Sequence, residues 1–223
     1  MKFNWLASAA LLVATSSLQA AEVSGTVTFT NDYRFNGISQ TSGDPALQGS
    51  LDLGFENGIY AGIWGSNINF ADNDNTNLEI DYYIGRYGEI TDDLSYDATL
   101  YYFQYHGEDY DIDYAELDLS LSYKDFTVLY AYAPDYINES DDYHYIALDY
   151  STAITNYVNL DLHGGYTFGD AYKHAEYSDY SVGLSGNAVG LDLSLAYLVN
   201  DIDGSTTDDY DDNAVVFKVS RTF

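Results

Sequence analysis

The feature that most constrains this chain is an alternation of apolar and polar residues that recurs in runs of roughly ten residues. The clearest example is Ala115-Glu116-Leu117-Asp118-Leu119-Ser120-Leu121. Successive side chains of a β-strand point to opposite faces, so such a run has one apolar face and one polar face. Because the residues after position 20 show almost no helical spacing, the chain is predicted to be all-β.

Twelve strands are predicted from these runs. Seven alternate clearly, near residues 26–33, 47–55, 78–84, 115–123, 158–168, 191–197 and 215–220. Five weaker candidates lie near residues 59–68, 94–105, 126–133, 143–152 and 177–186. Gly, Asn and Asp residues separate the runs, as is typical of turns between strands.

A soluble β-sandwich would also show this alternation, but three features favour a transmembrane barrel. The runs have the length of a tilted transmembrane strand, about 9–11 residues. The chain ends on an aromatic residue, Phe223, after an alternating run. The connections alternate between short ones, at 56–58, 88–93, 124–125, 153–157 and 187–190, and long ones, at 34–46, 69–77, 106–113, 134–142, 169–176 and 200–212. The sequence therefore predicts an antiparallel up-and-down outer-membrane β-barrel with both termini in the periplasm.

Residues 1–20 have the pattern of a secretory signal peptide. Lys2 gives a positive start, an apolar stretch runs from Trp5 to Ala14, and a cut is expected after Ala20, which leaves 21–223 as the barrel. The whole chain has no cysteine and a net charge of −29. Export without cysteine suits the outer membrane of a Gram-negative bacterium, and the negative charge excludes nucleic acid as a partner.

If the apolar faces of the strands are in contact with lipid, their polar faces line the interior of the barrel. This parity predicts one clear pore-lining base, Lys218, and a larger set of pore-lining acids: Asp52, Glu79, Asp81, Asp97, Glu116, Asp118, Asp149, Asp161, Asp179 and Asp192. One interpretation is that a polar lumen simply needs polar side chains. The other is an electrostatic field that favours cations, since rings of Asp and Glu line cation-permeable pores. The sequence leaves both interpretations open.

No constellation of catalytic residues stands out, and the chain is predicted not to be an enzyme. The four histidines have no metalloprotease spacing and no partner serine in a nucleophile elbow. His163 and Asp161 fall on one predicted strand face and are interpreted as polar lining of the lumen. The acidic loops at 72–74, 108–111, 139–142 and 201–212 are interpreted as a solvated surface, and calcium binding is the alternative. Neither a metal nor a cofactor is predicted.

Tyrosines near the predicted strand ends are expected to form aromatic girdles at the two membrane surfaces. The alternative is that they are present only because Tyr favours β-strands. The residues concerned are Tyr101, Tyr102, Tyr130, Tyr132, Tyr143, Tyr145, Tyr166, Tyr177 and Tyr180.

The N-terminal part of the chain carries a family resemblance. Its residues are the runs Asp32 to Thr41, Asp44 to Gly49 and Tyr60 to Asn67, continued at 79–85 and 94–97. They resemble the TorF family of proteobacterial porins over about residues 23–105. Asn36 departs from the family pattern, which usually has Arg at that position. The resemblance implies a passive outer-membrane pore.

The first long loop is predicted to be structured, because Gly37, Gly43 and Pro45 favour defined turns. Its Ser39 and Gln40, together with Gln48, offer neutral hydrogen-bonding groups and are candidate mouth residues. The loop either narrows the mouth or packs as an extracellular cap.

Two functions fit the predicted barrel. The first is a narrow diffusion channel for small solutes or ions, with a preference for cations. The second is a plugged structural or receptor barrel that acts through its acidic loops in adhesion or phage attachment. The expected partners are outer-membrane lipid, including lipopolysaccharide, the small solutes or cations, and the barrel-assembly machinery, which is expected to recognise the last strand through Phe223.

Overall fold

Twelve antiparallel strands close into a barrel in the computed structural model, which describes residues 21–70, 75–107, 111–202 and 213–223. The predicted signal peptide lies outside the described residues, as do the acidic loop at 72–74 and parts of those at 108–111 and 201–212. Among the described residues, no helix is long and apolar enough to cross a membrane. The twelve-stranded all-β barrel predicted from the alternation is confirmed.

The strands follow the chain order around the barrel, with one inserted hairpin. The barrel strands are β1 (Glu22–Thr30), β4 (Ala46–Gly54), β5 (Ile59–Asn67), β6 (Leu78–Thr91), β7 (Leu94–His106), β8 (Tyr114–Tyr123), β9 (Phe126–Ala133), β10 (Tyr143–Ala153), β11 (Asn159–Phe168), β12 (Tyr177–Ala188), β13 (Leu191–Asn200) and β14 (Ala214–Thr222). The inserted hairpin is β2 (Arg34–Phe35) with β3 (Ile38–Ser39), which pair only with each other.

The barrel closes where the first strand meets the last. β1 pairs with β14 through Phe29 opposite Val219, and with β4 through Val27 opposite Gly49. The terminal residue extends this closure, because the Phe223 N–H donates to the Gly25 carbonyl oxygen at 2.9 Å. The closed barrel leaves no unpaired strand edge, which is the condition for a sheet to cross a bilayer.

The outer face of the barrel is an apolar belt. Leu117, Leu119 and Leu121 of β8 are 39%, 43% and 47% exposed, whereas Glu116, which precedes them on the opposite face, is 2% exposed. The same parity holds on the other barrel strands, where Val27, Leu51, Ile84, Leu148 and Leu195 point outward. So large a continuous apolar surface is unfavourable in water and favourable against lipid tails.

The connections alternate in length as predicted, with short turns at one end and longer connections at the other. The turn predicted at 88–93 is shorter in the structure: β6 continues to Thr91, so only residues 92 and 93 separate it from β7. The reason is the long β6–β7 ladder, which still pairs Glu89 with Ser95 beyond Gly88 and then passes a bulge. Gly88 therefore lies within a strand rather than a turn.

The girdle prediction is wrong for several of its tyrosines. Tyr143, Tyr145 and Tyr177 are only 1%, 2% and 3% exposed and lie inside the barrel. On β10 the outward positions are Ile146 and Leu148, so strand parity turns Tyr143 and Tyr145 inward. Outward positions are held by Tyr102, Tyr166 and Tyr180, which are 44%, 40% and 50% exposed.

Candidate functional site

A short hairpin inside the first long loop is the main structural element of the barrel interior. Arg34 pairs with Ser39 and Phe35 with Ile38, joined by the two residues Asn36 and Gly37. Both joining residues have positive φ, 46° and 82°, as a two-residue type I′ turn requires. Asn and Gly are the residues that most readily adopt this conformation, so the sequence specifies this tight turn.

Asp32 braces the hairpin from within the loop. Its Oδ2 accepts a hydrogen bond from Arg34 Nε at 2.6 Å, and its Oδ1 accepts one from Ser39 Oγ at 2.6 Å. The Gln40 N–H donates to the Tyr33 carbonyl oxygen at 2.7 Å, and the Gln40 side chain donates to the Ile38 carbonyl oxygen at 3.2 Å. The hydroxyl of Ser39 and the amide of Gln40 therefore hold the loop together.

The hairpin crosses the interior and contacts several walls of the barrel. Its turn lies against Asp179 of β12, and the Gly37 carbonyl oxygen accepts a hydrogen bond from Asn200 Nδ2 of β13 at 3.1 Å. Asn36 Nδ2 donates to the Tyr143 hydroxyl of β10. Phe35 packs edge-on against Phe103 of β7, with ring centroids 6.0 Å apart. The loop thus lies in the barrel and narrows it, rather than forming a separate cap.

Aromatic side chains fill much of the interior at the end that carries the long connections. Tyr136, from a single 3-10 turn at Tyr136–Asn138, stacks on Tyr143 with centroids 4.7 Å apart and meets the Tyr114 ring edge-on at 4.9 Å.

A second 3-10 turn, Asp170–Tyr172, is held by the Asp170 N–H, which donates to Asp142 Oδ1 at 2.7 Å. This hydrogen bond holds the pKa of Asp142 below its ordinary value.

On one side of the hairpin is a cavity of about 430 Å³ with charges of both signs. Arg34 of the hairpin and Lys218 of β14 supply its cationic groups. The predicted pore residues Asp149, Asp161 and Asp179 line the same cavity. We call it the mixed-charge chamber.

His163 connects two of the acids in the mixed-charge chamber. Its Nδ1 lies 2.6 Å from Asp149 Oδ1, and its Nε2 lies 2.9 Å from Asp179 Oδ1. The Tyr145 hydroxyl donates to Asp179 Oδ2 at 3.0 Å. The same hydroxyl lies 2.9 Å from His163 Nε2, whereas Asp161 accepts a hydrogen bond from Ser151 Oγ at 2.6 Å.

On the other side of the hairpin is a cavity of about 340 Å³, which we call the acidic–aromatic chamber. Its acids are Asp81 on β6 and Glu116 and Asp118 on β8. Each has one buried carboxyl oxygen without a hydrogen-bond partner among the described residues. Glu79 lies two residues before Asp81 on the same strand face, is 2% exposed, and accepts a hydrogen bond from the Tyr105 hydroxyl at 3.1 Å.

The remaining predicted pore residues are spread along the inner strand faces. Asp52 accepts hydrogen bonds from Tyr83 and from Ser50 Oγ, and Asp97 accepts them from the Tyr60 hydroxyl at 2.7 Å and Thr99 Oγ1 at 2.6 Å. Asp192 is exposed and accepts a hydrogen bond from Asn187 Nδ2 at 3.0 Å. Gln48 lies on β4, where its Nε2 is 3.5 Å from Ser66 Oγ.

The sequence interpretation missed Arg34 and Tyr145. The sequence does not predict the place of Arg34 in the lumen, because that place depends on how the first long loop folds. Tyr145 could have been found, since it shares strand parity with Asp149.

In the part of the chain that the structure describes, neither a metal centre nor an apolar pocket in the outer wall competes with this site. In residues 21–70, 75–107, 111–202 and 213–223, no three His, Asp or Glu side chains are grouped so as to hold a metal ion. A concavity of about 1050 Å³ is lined mainly by outward apolar residues such as Val128, Ile146 and Leu162. The candidate site is therefore the divided lumen.

A family comparison classifies the sequence. The profile of a family described as bacterial proteins of unknown function, Gcw_chp, matches residues 14–223. This chain belongs to the Gcw_chp family. The match extends well beyond the N-terminal third that suggested TorF, and the TorF resemblance itself stays a prediction. No curated protein matches the sequence.

Solved structures similar to this Gcw_chp protein include two porins and an outer-membrane channel. The KdgM porin has a TM-score of 0.57 at 10% sequence identity, and the similarity covers 90% of this chain and 98% of that one. The NanC porin has a TM-score of 0.56 at 11% identity, with coverage of 90% and 98%. An outer-membrane channel from Pseudomonas putida F1 has a TM-score of 0.52 at 12% identity, with coverage of 95% and 98%. At such identities the similarity concerns the fold.

Proposed function

We propose that this Gcw_chp protein is a narrow diffusion channel for small solutes and ions in the outer membrane of a Gram-negative bacterium. The observation that carries the proposal is the divided lumen, in which polar cavities of about 430 Å³ and 340 Å³ flank a braced hairpin. A purely structural barrel has no need for charged cavities in its interior, because buried charges are costly to fold. The fold shared with porins supports the same proposal.

The proposed bore is small. Eight-stranded barrels are filled by side chains and sixteen-stranded porins are open, so a twelve-stranded barrel lies between them. The hairpin narrows it further, since its turn contacts Asp179 while Phe35 contacts Phe103. The solutes proposed are ions and compact neutral or zwitterionic molecules.

We further propose that the channel prefers cations. The predicted inner faces carry ten acids, against three basic residues that line the mixed-charge chamber, Arg34, Lys218 and His163. Arg34 is already paired with Asp32 at 2.6 Å, which reduces its effect on a passing ion. The excess of acids near a low-dielectric wall concentrates cations and repels small anions, most strongly at low salt.

The orientation follows from the connections. We propose that the short turns and both termini face the periplasm and that the long loops face outward, where lipopolysaccharide surrounds them.

No catalytic role is proposed for His163. Its two nitrogens are engaged by Asp149 and Asp179, and the arrangement is explained by neutralising charge within the lumen.

Single-channel conductance tests this proposal. Protein purified from outer membranes and reconstituted into planar bilayers should give discrete conductance steps, and liposomes containing it should swell in small neutral osmolytes. Heat-unfolded protein is the control. Folded barrels that produce neither steps nor swelling would contradict the channel.

One observation favours a second function, a plugged receptor barrel. The stacked rings of Tyr136, Tyr143 and Tyr114 occupy the interior at the end of the long loops. If they block that end, the acidic loops act by binding partners outside the cell in adhesion or phage attachment. Absence of conductance together with loop-dependent binding to cells or phage would support this function and exclude the channel.

A further inference from the structure

We infer that the acidic–aromatic chamber is a binding site for a small organic ammonium ion. The inference rests on the proposed cation preference and goes further, because it assigns a ligand class to one place in the lumen. It is carried by the juxtaposition of unpartnered carboxyl oxygens and aromatic rings around one cavity.

The first step is the group of buried carboxyl oxygens that lack a hydrogen-bond partner. Glu116 is 2% exposed, lines the chamber, and has an Oε2 atom with no hydrogen-bond partner among the described residues. Asp118 Oδ1 and Asp81 Oδ1 are in the same condition. The described residues that line the chamber include neither Lys nor Arg. A carboxyl group in such a place is costly to ionise alone, and a cation that enters the chamber stabilises its ionised form.

The second step is the aromatic lining. Tyr33 of the loop meets Trp64 of β5 edge-on, with centroids 5.4 Å apart, and Tyr101 and Phe103 of β7 stack at 5.7 Å. In the strand register Tyr101 lies opposite Glu116, and Phe103 lies opposite Asp81. The rings therefore lie between the acids of β6 and those of β8. A cation over such a ring face is attracted by the negative electrostatic potential of the ring, most strongly over Trp.

The third step separates an organic ion from a metal ion. A metal ion needs several oxygen or nitrogen ligands around one point, and the described residues offer no such group. An alkylammonium ion instead combines one positive charge with an apolar surface, which matches carboxylates alternating with rings. The volume of about 340 Å³ equals that of roughly ten water molecules at about 30 Å³ each, so a small organic ammonium ion fits in the chamber.

Calorimetric titration with tetramethylammonium chloride tests the site in the purified, folded barrel. We expect saturable binding, together with a change in the fluorescence of Trp64, which is the only tryptophan in residues 21–223. Potassium chloride and the neutral analogue tert-butanol are the comparison ligands and should bind at least tenfold more weakly.

Variants locate the binding in the chamber. The double variant Glu116→Gln, Asp118→Asn should weaken binding at least tenfold, and Trp64→Leu should weaken it about three- to tenfold, as loss of a cation–π contact implies. Asp125→Asn removes an exposed acid outside the barrel and should leave binding unchanged. If Trp64→Leu does not fold, Trp64→Phe keeps a ring and should retain most of the affinity.

Two results would overturn the site. One is a folded barrel that does not bind tetramethylammonium, as expected if the carboxyls hold protons instead. The other is binding that the double variant leaves intact. The channel is tested separately: a barrel that conducts but does not bind overturns only the site, and one that binds but does not conduct overturns only the channel.

Discussion

A Cβ atom placed on Gly37 would lie 2.6 Å from the Cβ of Asp179, so the hairpin turn and the β12 wall are already in close contact. Real Cβ atoms do not approach so closely, and Gly37 also has a φ of 82°, which L side chains rarely adopt. The position of the hairpin across the lumen therefore depends on this residue having no side chain.

The first prediction concerns this contact. Gly37→Ala should push the hairpin turn away from β12 and change the single-channel conductance. Gly43→Ala is the matched control, because Gly43 has a φ of 78° but no atom within 4 Å of its added Cβ. Both variants should lose about 1 kcal/mol of folding stability from the unfavourable φ. Equal conductance in Gly37→Ala, Gly43→Ala and the parent would show that the hairpin does not set the bore.

The strands were predictable because the alternation records which face each residue occupies. Leu117, Leu119 and Leu121 face outward and Glu116 faces inward, and a shift by one residue would exchange those faces. The tyrosines of β10 obey the same rule, which turns Tyr143 and Tyr145 inward. Their girdle prediction is wrong because nearness to a strand end does not determine which face a side chain occupies.

The division of the lumen could not be predicted in the same way. The Asn36-Gly37 pair predicts a tight turn, but the turn is held by Asp179, Asn200 and Tyr143, which are distant in the chain. Nothing local specifies these contacts. The two chambers, and the placement of Arg34 in one of them, follow only from the assembled barrel.

The second prediction tests which strand face contacts lipid. Leu119→Arg should destabilise the barrel by about 2–4 kcal/mol, because a charge at the bilayer midplane loses its hydration. Ser120→Arg should cost far less, since Ser120 points inward and lies opposite Asp97, which can pair with the new charge. Equilibrium refolding into lipid bilayers measures both free energies. Small and equal losses at the two positions would refute the lipid-facing assignment.

The third prediction concerns assembly. We expect Phe223→Asp to reduce the amount of barrel in the outer membrane while export continues, because the assembly machinery is proposed to recognise the aromatic end of the last strand. Val189→Asp is the control, since Val189 is 93% exposed in a short turn and makes no barrel-closing contact. Heat-modifiable mobility of the protein in outer-membrane fractions measures assembly. Unchanged levels of folded Phe223→Asp barrel would remove this role.

The most direct test of the central claim is the reversal potential of single channels in a planar bilayer under a KCl gradient. The account predicts a reversal potential whose sign shows selectivity for K⁺ over Cl⁻. Its magnitude should be larger at low salt, because screening weakens the field of the lumen acids as salt rises. Changing Glu79, Asp81, Glu116 and Asp118 to their amides should move the potential toward zero. The same change at the exposed acids Glu89, Asp92, Asp93 and Asp125 should leave it nearly unchanged. A channel that prefers Cl⁻, or a K⁺ preference that survives loss of the four inner acids, would contradict the account.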